Sequence, residues 1–122
     1  MRSVRERLED ILDEIALLEM HAVGRKEQFD SDVVLQTFCW KRVEVIGEAA
    51  FKLPSDLLAR YPGAPWDKII GMRHILVHDY FSVRWDVIWR VVDEHLAPLR
   101  AEVEKMLRDL PPDESGGDAA HG

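Results

Sequence analysis

Residues 66–80 read WDKIIGMRHILVHDY. Trp66, Ile69, Ile70, Ile75, Leu76 and Val77 recur at the spacing of one helical stripe, and no alternation of period two competes with it. Pro65 suits the first position of such a helix, where its missing N–H is not needed. Arg73 falls four residues after Ile69, three after Ile70, three before Leu76 and four before Val77, so it stands inside the apolar stripe. A guanidinium there is expensive unless it snorkels, pairs with an acid or meets an anion. Glu44 and Glu48, on the preceding helical segment, are the acids in prospect, and a purely structural ion pair is the plain alternative to a functional role.

Outward from this segment the chain reads as helices throughout. A first helix over about Val4–Ala22 carries Val4, Leu8, Ile11, Leu12, Ile15 and Leu18, and Gly24 should stop it. The polar cluster Asp30, Ser31, Asp32 suits the start of a second helix that runs to about Lys52. Pro54 opens a short helical turn, and YPGAP at 61–65 breaks the chain. A fourth helix is expected from near Ser82 to about Leu110, with Pro98 kinking or restarting it. The fold class is therefore all-α, an up-and-down bundle of four to five helices. One domain is expected over residues 1–110, followed by a disordered acidic tail at 111–122 that lacks apolar periodicity.

Composition narrows the partners. The 122 residues carry a net charge of −7. Residues 1–40 hold 5 basic and 9 acidic groups, residues 41–110 hold 11 of each, and the tail holds 3 acids and no base. A broad basic face for nucleic acid is excluded, so any RNA contact must be local. No apolar run reaches the length of a membrane span, and the N-terminus is not a signal peptide. Cys39 is alone and reads as a small buried hydrophobe, which fits a reducing, cytoplasmic setting. Trp66, Trp85 and Trp89 read mainly as packing residues.

The end of the third helix is dense in polar groups: His74, His78, Asp79 and Tyr80. His74 and His78 are four apart and share a face, a spacing that can hold a metal, but no Glu follows His74 and no Cys lies near. No metal and no cofactor is expected. Arg73 and His78, five apart, diverge by about 140° on a regular helix. They converge only if the helix loosens or if a second chain supplies one of them.

Arg73, the four residues HILV, then His78, Asp79 and Tyr80 resemble the HEPN signature of Arg, four residues, His, one residue, Tyr. RVEVIGEAA at 42–50, the lead-in from Trp66 to Gly71, LVHDY and the following VIW resemble the HepT branch of minimal HEPN toxins, over roughly residues 4–108. The resemblance implies a homodimeric helical bundle in which two motif copies face one cleft. It implies a metal-independent RNA endonuclease with Arg73 and His78 as catalytic residues. It further implies a toxin encoded beside an MNT-type nucleotidyltransferase antitoxin, which silences the toxin by AMPylation of Tyr80. His74 stands where many members carry Asn, which leaves open whether it acts in catalysis or holds geometry. Asp79 is either solvated or steers His78.

The chemistry suits these residue types. RNA carries its own nucleophile, the 2′-hydroxyl, so cleavage needs a base, an acid and a cation for the phosphorane charge. His serves the first two roles near neutral pH and Arg the third. Expected partners are RNA, the antitoxin and a second copy of the chain, with neither DNA nor membrane. The competing readings are a non-catalytic HEPN-like dimer that acts as a protein-binding module, and a nucleotide-sensing or metal-binding bundle built on His74 and His78.

Overall fold

A computed structural model describes residues 2–75 and 83–111, without the side chains of residues 74 and 75. The described chain is helical and contains no strand. Its elements are α1 (Val4–His21), α2 (Lys26–Ser31), α3 (Val33–Phe51), α4 (Ser55–Ala59), α5 (Trp66–Ile75), α6 (Trp85–Arg90), a π turn (Val91–His95) and α7 (Leu96–Asp109). The last three run on as one rod, so four rods and two short helices make the all-α bundle that the apolar spacing implies.

Local chemistry fixes the first helices. The Ser3 hydroxyl accepts from the Glu6 N–H at 3.1 Å, and the Glu6 carboxylate accepts from the Ser3 N–H at 2.8 Å. This reciprocal cap satisfies two donors that the first turn of α1 would otherwise leave bare. That Ser3 N–H also holds the Glu6 carboxyl below its ordinary range. Gly24, at φ +81°, takes the left-handed turn that follows α1, a conformation glycine adopts without a side-chain clash.

The polar cluster after Gly24 divides differently from expectation. Asp30 and Ser31 belong to α2, and Asp32 alone caps α3, accepting from the N–H groups of Val34 at 2.9 Å and Leu35 at 3.3 Å. A six-residue helix with one apolar residue has no periodicity to betray it. Tertiary packing holds it instead: Phe29 is buried, with its ring centroid 5.0 Å from that of Trp89.

α3 is the central rod, packed on α1 along one flank and on α5 along another, while α7 closes against α1. Leu8, Ile11, Ile15 and Leu18 of α1 meet a core that includes Val43 and Ile46 of α3, all 1% exposed or less. Truncating Ile46 to Ala would cost about 2–5 kcal/mol, since its side chain is fully buried.

The YPGAP break is tied down rather than loose. The Tyr61 hydroxyl donates to Asp109 of α7 at 2.7 Å, the Gly63 N–H donates to Glu102 of α7 at 2.9 Å, and the Trp66 indole N–H donates to the Tyr61 carbonyl at 2.8 Å. Pro65 sits one residue ahead of α5, and its carbonyl accepts the first bonds of that helix from Lys68 and Ile69.

Pro98 lies in the first turn of α7, where the helix restarts after a π turn, as its position in the sequence implies. Its ring would crowd the carbonyl of residue 94 in an ideal α-helix. The chain widens into the π turn at Val91–His95 just ahead of it, and α7 continues through Pro98 to Asp109. Ser82, the expected start of this rod, lies outside the described residues, as do residues 112–122 of the acidic tail. No helix among the described residues is long and apolar enough to cross a membrane.

Candidate active site

The two helices that carry the motif residues approach closely at Gly47. A Cβ at that position would lie 2.9 Å from the Ile69 carbonyl oxygen and 3.4 Å from Cγ of Arg73. No side chain fits there without moving α5. The absent side chain lets Arg73 lie along α3, and the next residues on that face receive it.

Glu48 accepts from Nε of Arg73 at 3.0 Å, and the Arg73 guanidinium carbon stands 3.5 Å from the ring centroid of Phe51. The sequence offered Glu44 and Glu48 as partners, and Glu48 is the one used; Glu44 pairs with Lys41 of its own helix at 3.3 Å. The pair is open to water, with the Glu48 side chain 48% exposed and that of Arg73 23% exposed. Lys52 adds a second cation, 3.8 Å from the other Glu48 oxygen. An open cleft of about 350 Å³ adjoins Glu48, Ala49 and Lys52 and reaches Arg7, Asp10 and Glu14 of α1.

The result is an arginine fixed in orientation without being sealed. Glu48 engages it through Nε and Phe51 covers one face of its plane. A guanidinium held this way can meet an anionic oxygen with little rotational entropy left to lose. Glu48 is an exposed carboxylate, so an arriving phosphate can compete with it.

Of the residues singled out in the sequence, Arg73 is thus placed at the α3–α5 seam. His74 belongs to α5 by its backbone, and its side chain lies outside the described residues. His78, Asp79 and Tyr80 lie outside them entirely. Among the described residues no group of three or more His, Cys, Asp or Glu side chains could hold a metal. Cys39 is buried, and burial alone pushes its thiol up to about 11, as suits a packing residue. Trp66 and Trp89 are buried, and Trp85 packs edge-on to Trp40 at 5.6 Å, so the tryptophans of the described chain serve the core.

Three residues escaped the sequence reading. Gly47 and Phe51 lie four apart on one face of α3, with Glu48 between them, and that i, i+4 spacing was the available signal. Met72 lies off the apolar stripe of α5 yet is only 2% exposed, at the base of a cleft it shares with Val87 and Val91.

These features define a helical bundle with an anion-ready arginine at an inter-helix seam. The family described as Ribonuclease HepT-like matches residues 8–106, and the chain belongs to that family. It is 34% identical over 109 residues to a protein of Caldanaerobacter subterraneus subsp. tengcongensis that carries a provisional RNase name, covering 88% of this chain and 97% of that one. It is 35% identical over 108 residues to a Thermococcus cleftensis protein named as a probable ribonuclease HepT, covering 86% and 96%. A Methanocaldococcus jannaschii protein named for both a gamma-glutamylcyclotransferase and an RNase is 33% identical over 110 residues, 89% of this chain and 50% of that one. No solved structure matches.

Proposed function

We propose that this chain is the toxin of a type VII-like HEPN/MNT toxin–antitoxin pair, a metal-independent RNA endonuclease. It works as a homodimer in the cytoplasm, with Arg73 and His78 forming a composite site across two protomers. The observation that carries this reading is Arg73 itself. It is oriented by Glu48 and Phe51 yet left accessible, which suits a group that must meet a phosphate.

In this reading His78 of one protomer takes the proton of the RNA 2′-hydroxyl. The freed oxygen bonds to the adjacent phosphorus, and the bond to the 5′-oxygen breaks. The leaving 5′-oxygen takes its proton from the partner subunit's His78, and Arg73 balances the charge on the phosphorane. The products are a 2′,3′-cyclic phosphate and a 5′-hydroxyl. One motif His per chain and two proton transfers per cleavage make the dimer a chemical expectation. His74 and Asp79 position the RNA or its histidine, and the Tyr80 hydroxyl helps to orient the phosphate.

Silencing follows from charge. The Tyr80 oxygen attacks the α-phosphorus of ATP held by the antitoxin, pyrophosphate leaves, and the anionic adenylyl group then blocks the cleft and repels RNA.

An RNA digest with chelator present tests the proposal. Wild-type protein should cut and leave cyclic-phosphate ends, and His78→Ala in both subunits should abolish cutting with the helical spectrum intact. Cutting by that variant at the original rate overturns the assignment of His78. A folded wild-type dimer that never cuts points to the non-catalytic binding module instead, and cutting lost with chelator points to a metal enzyme.

A further inference from the structure

α5 has a second working flank. Ile69 and Arg73 face α3, whereas Lys68, Gly71 and Met72 line a cleft of about 270 Å³ shared with Val87 and Arg90 of α6 and with Val91 and His95 of the π turn. Met72 and Val91 are buried and Val87 is half-buried, so the floor is apolar. Lys68 and Arg90 are exposed at the rim, and His95 is half-buried beside them. Gly71 adds no side chain to the mouth, where a Cβ would meet only open space.

Three basic groups around one apolar floor stand out in a chain of net charge −7. The acid paired with Arg90 among the described residues is a weak competitor: Glu94 approaches only to 3.9 Å, with both side chains about 60% exposed. His95 registers the local field. Burial holds its imidazole below the ordinary range, Glu94 pulls it back up, and Lys68 and Arg90 press it down. With two exposed cations at its rim and an apolar floor, the cleft suits an anion joined to an apolar group. Its volume suits one nucleotide rather than a larger ligand. π turns are rare and concentrate at functional positions, and the single π turn among the described residues carries two of the lining groups.

We propose that this cleft is a nucleotide subsite for RNA, in which Lys68, Arg90 and His95 hold a backbone phosphate and the adjoining base lies on Met72, Val87 and Val91. The proposal rests on the ribonuclease reading. Gly71 and Arg73 are two residues apart, so a strand that reaches Arg73 has only about one helix diameter, ~10 Å, to cross to the cleft. The subsite supplies the local basic contact that an acidic chain needs in order to grip RNA.

Binding is tested on the full chain carrying His78→Ala, so that no cleavage is read. The probes are a single-stranded RNA hexamer, adenosine monophosphate and inorganic phosphate. The His95 ring resonances are assigned by their loss in His95→Gln. The hexamer should shift them and raise the proton affinity of His95 about tenfold or more, since a phosphate offsets the cations. Adding Lys68→Ala and Arg90→Ala should weaken hexamer binding about tenfold or more and flatten its dependence on salt. Both residues are exposed, so the melting temperature should hold. In the chain with His78 intact, the same pair should raise KM for the hexamer about tenfold and leave kcat within about twofold.

Hexamer binding that leaves His95 unmoved and is indifferent to Lys68 and Arg90 overturns the subsite. A response to adenosine monophosphate or phosphate but not to the hexamer also overturns it, in favour of a free small ligand. The two readings fail separately. A wild-type chain that does not cut RNA, while its His78→Ala form binds the hexamer through the cleft, removes the ribonuclease reading and keeps the subsite. A chain that cuts with unchanged KM after Lys68→Ala and Arg90→Ala does the reverse.

Discussion

α3 takes part in two arginine–glutamate pairs of nearly equal length, one on each flank. Towards α1, Arg42 meets Glu14 at 2.9 Å; towards α5, Glu48 meets Arg73 at 3.0 Å. The arginines are equally exposed, at 24% and 23%, and each lies by a phenylalanine ring, Phe38 at 5.4 Å and Phe51 at 3.5 Å. The carboxylates differ. Glu14 is 17% exposed and Glu48 is 48% exposed. Burial also raises the Glu14 carboxyl above its ordinary range, with Arg42 pulling the other way. Glu14 Oε1 and Arg42 Nε are buried and close, but their angle gives no hydrogen bond. Accessibility of the acid thus separates an arginine that braces two helices from one that can be surrendered to a substrate.

The sharpest way to break this contrast is to remove each arginine in turn. Arg73→Ala should lower RNA cleavage about 10²–10³-fold and move the melting temperature by only a few degrees. Arg42→Ala should instead destabilise the fold by about 1–3 kcal/mol, because Glu14 loses its cation. Cleavage per folded molecule should stay as it was, and an equal loss of rate in both variants would erase the distinction. Denaturant melts and a fluorogenic RNA assay read both outcomes.

Gly47 offers a subtler probe. Gly47→Ala should cost about 1–3 kcal/mol and reduce cleavage, since the new methyl group pushes α5 and its Arg73 away. Gly71→Ala, where the Cβ meets nothing, should stabilise the same helix by up to about 1 kcal/mol. Equal melting temperatures for these two variants would show that the seam has slack.

The smallest effect is a pH dependence. Glu14 binds its proton more tightly in the folded chain than in the unfolded one. Its contribution to stability is therefore greatest below the ordinary carboxylate range and is lost as pH rises through that range into the raised folded one. Glu14→Gln should flatten stability against pH there. Urea melts between about pH 3 and pH 6 bracket the ordinary carboxylate range and test this.

Much of this was readable from residues alone. Regular apolar repeats and the Asp32 cap located α1 and α3, and the placement of Arg73 within an apolar stripe marked it as unusual. The choice between Glu44 and Glu48 was not readable, because it depends on where two helices cross, and one hydrogen atom at Gly47 sets that crossing. α2 was hidden because Phe29 finds its partners some 60 residues away, at Trp85 and Trp89. The π turn was hidden because Pro98 announces a disturbance without saying which turn will absorb it.

The Tyr61–Asp109 and Gly63–Glu102 bonds join positions 48 and 39 residues apart. A ribosome therefore releases the anchors of the loop that launches α5 only when α7 has emerged. Until then the launching loop keeps only its local Trp66–Tyr61 bond, so the approach of α5 to α3 is fixed late in the making of the bundle.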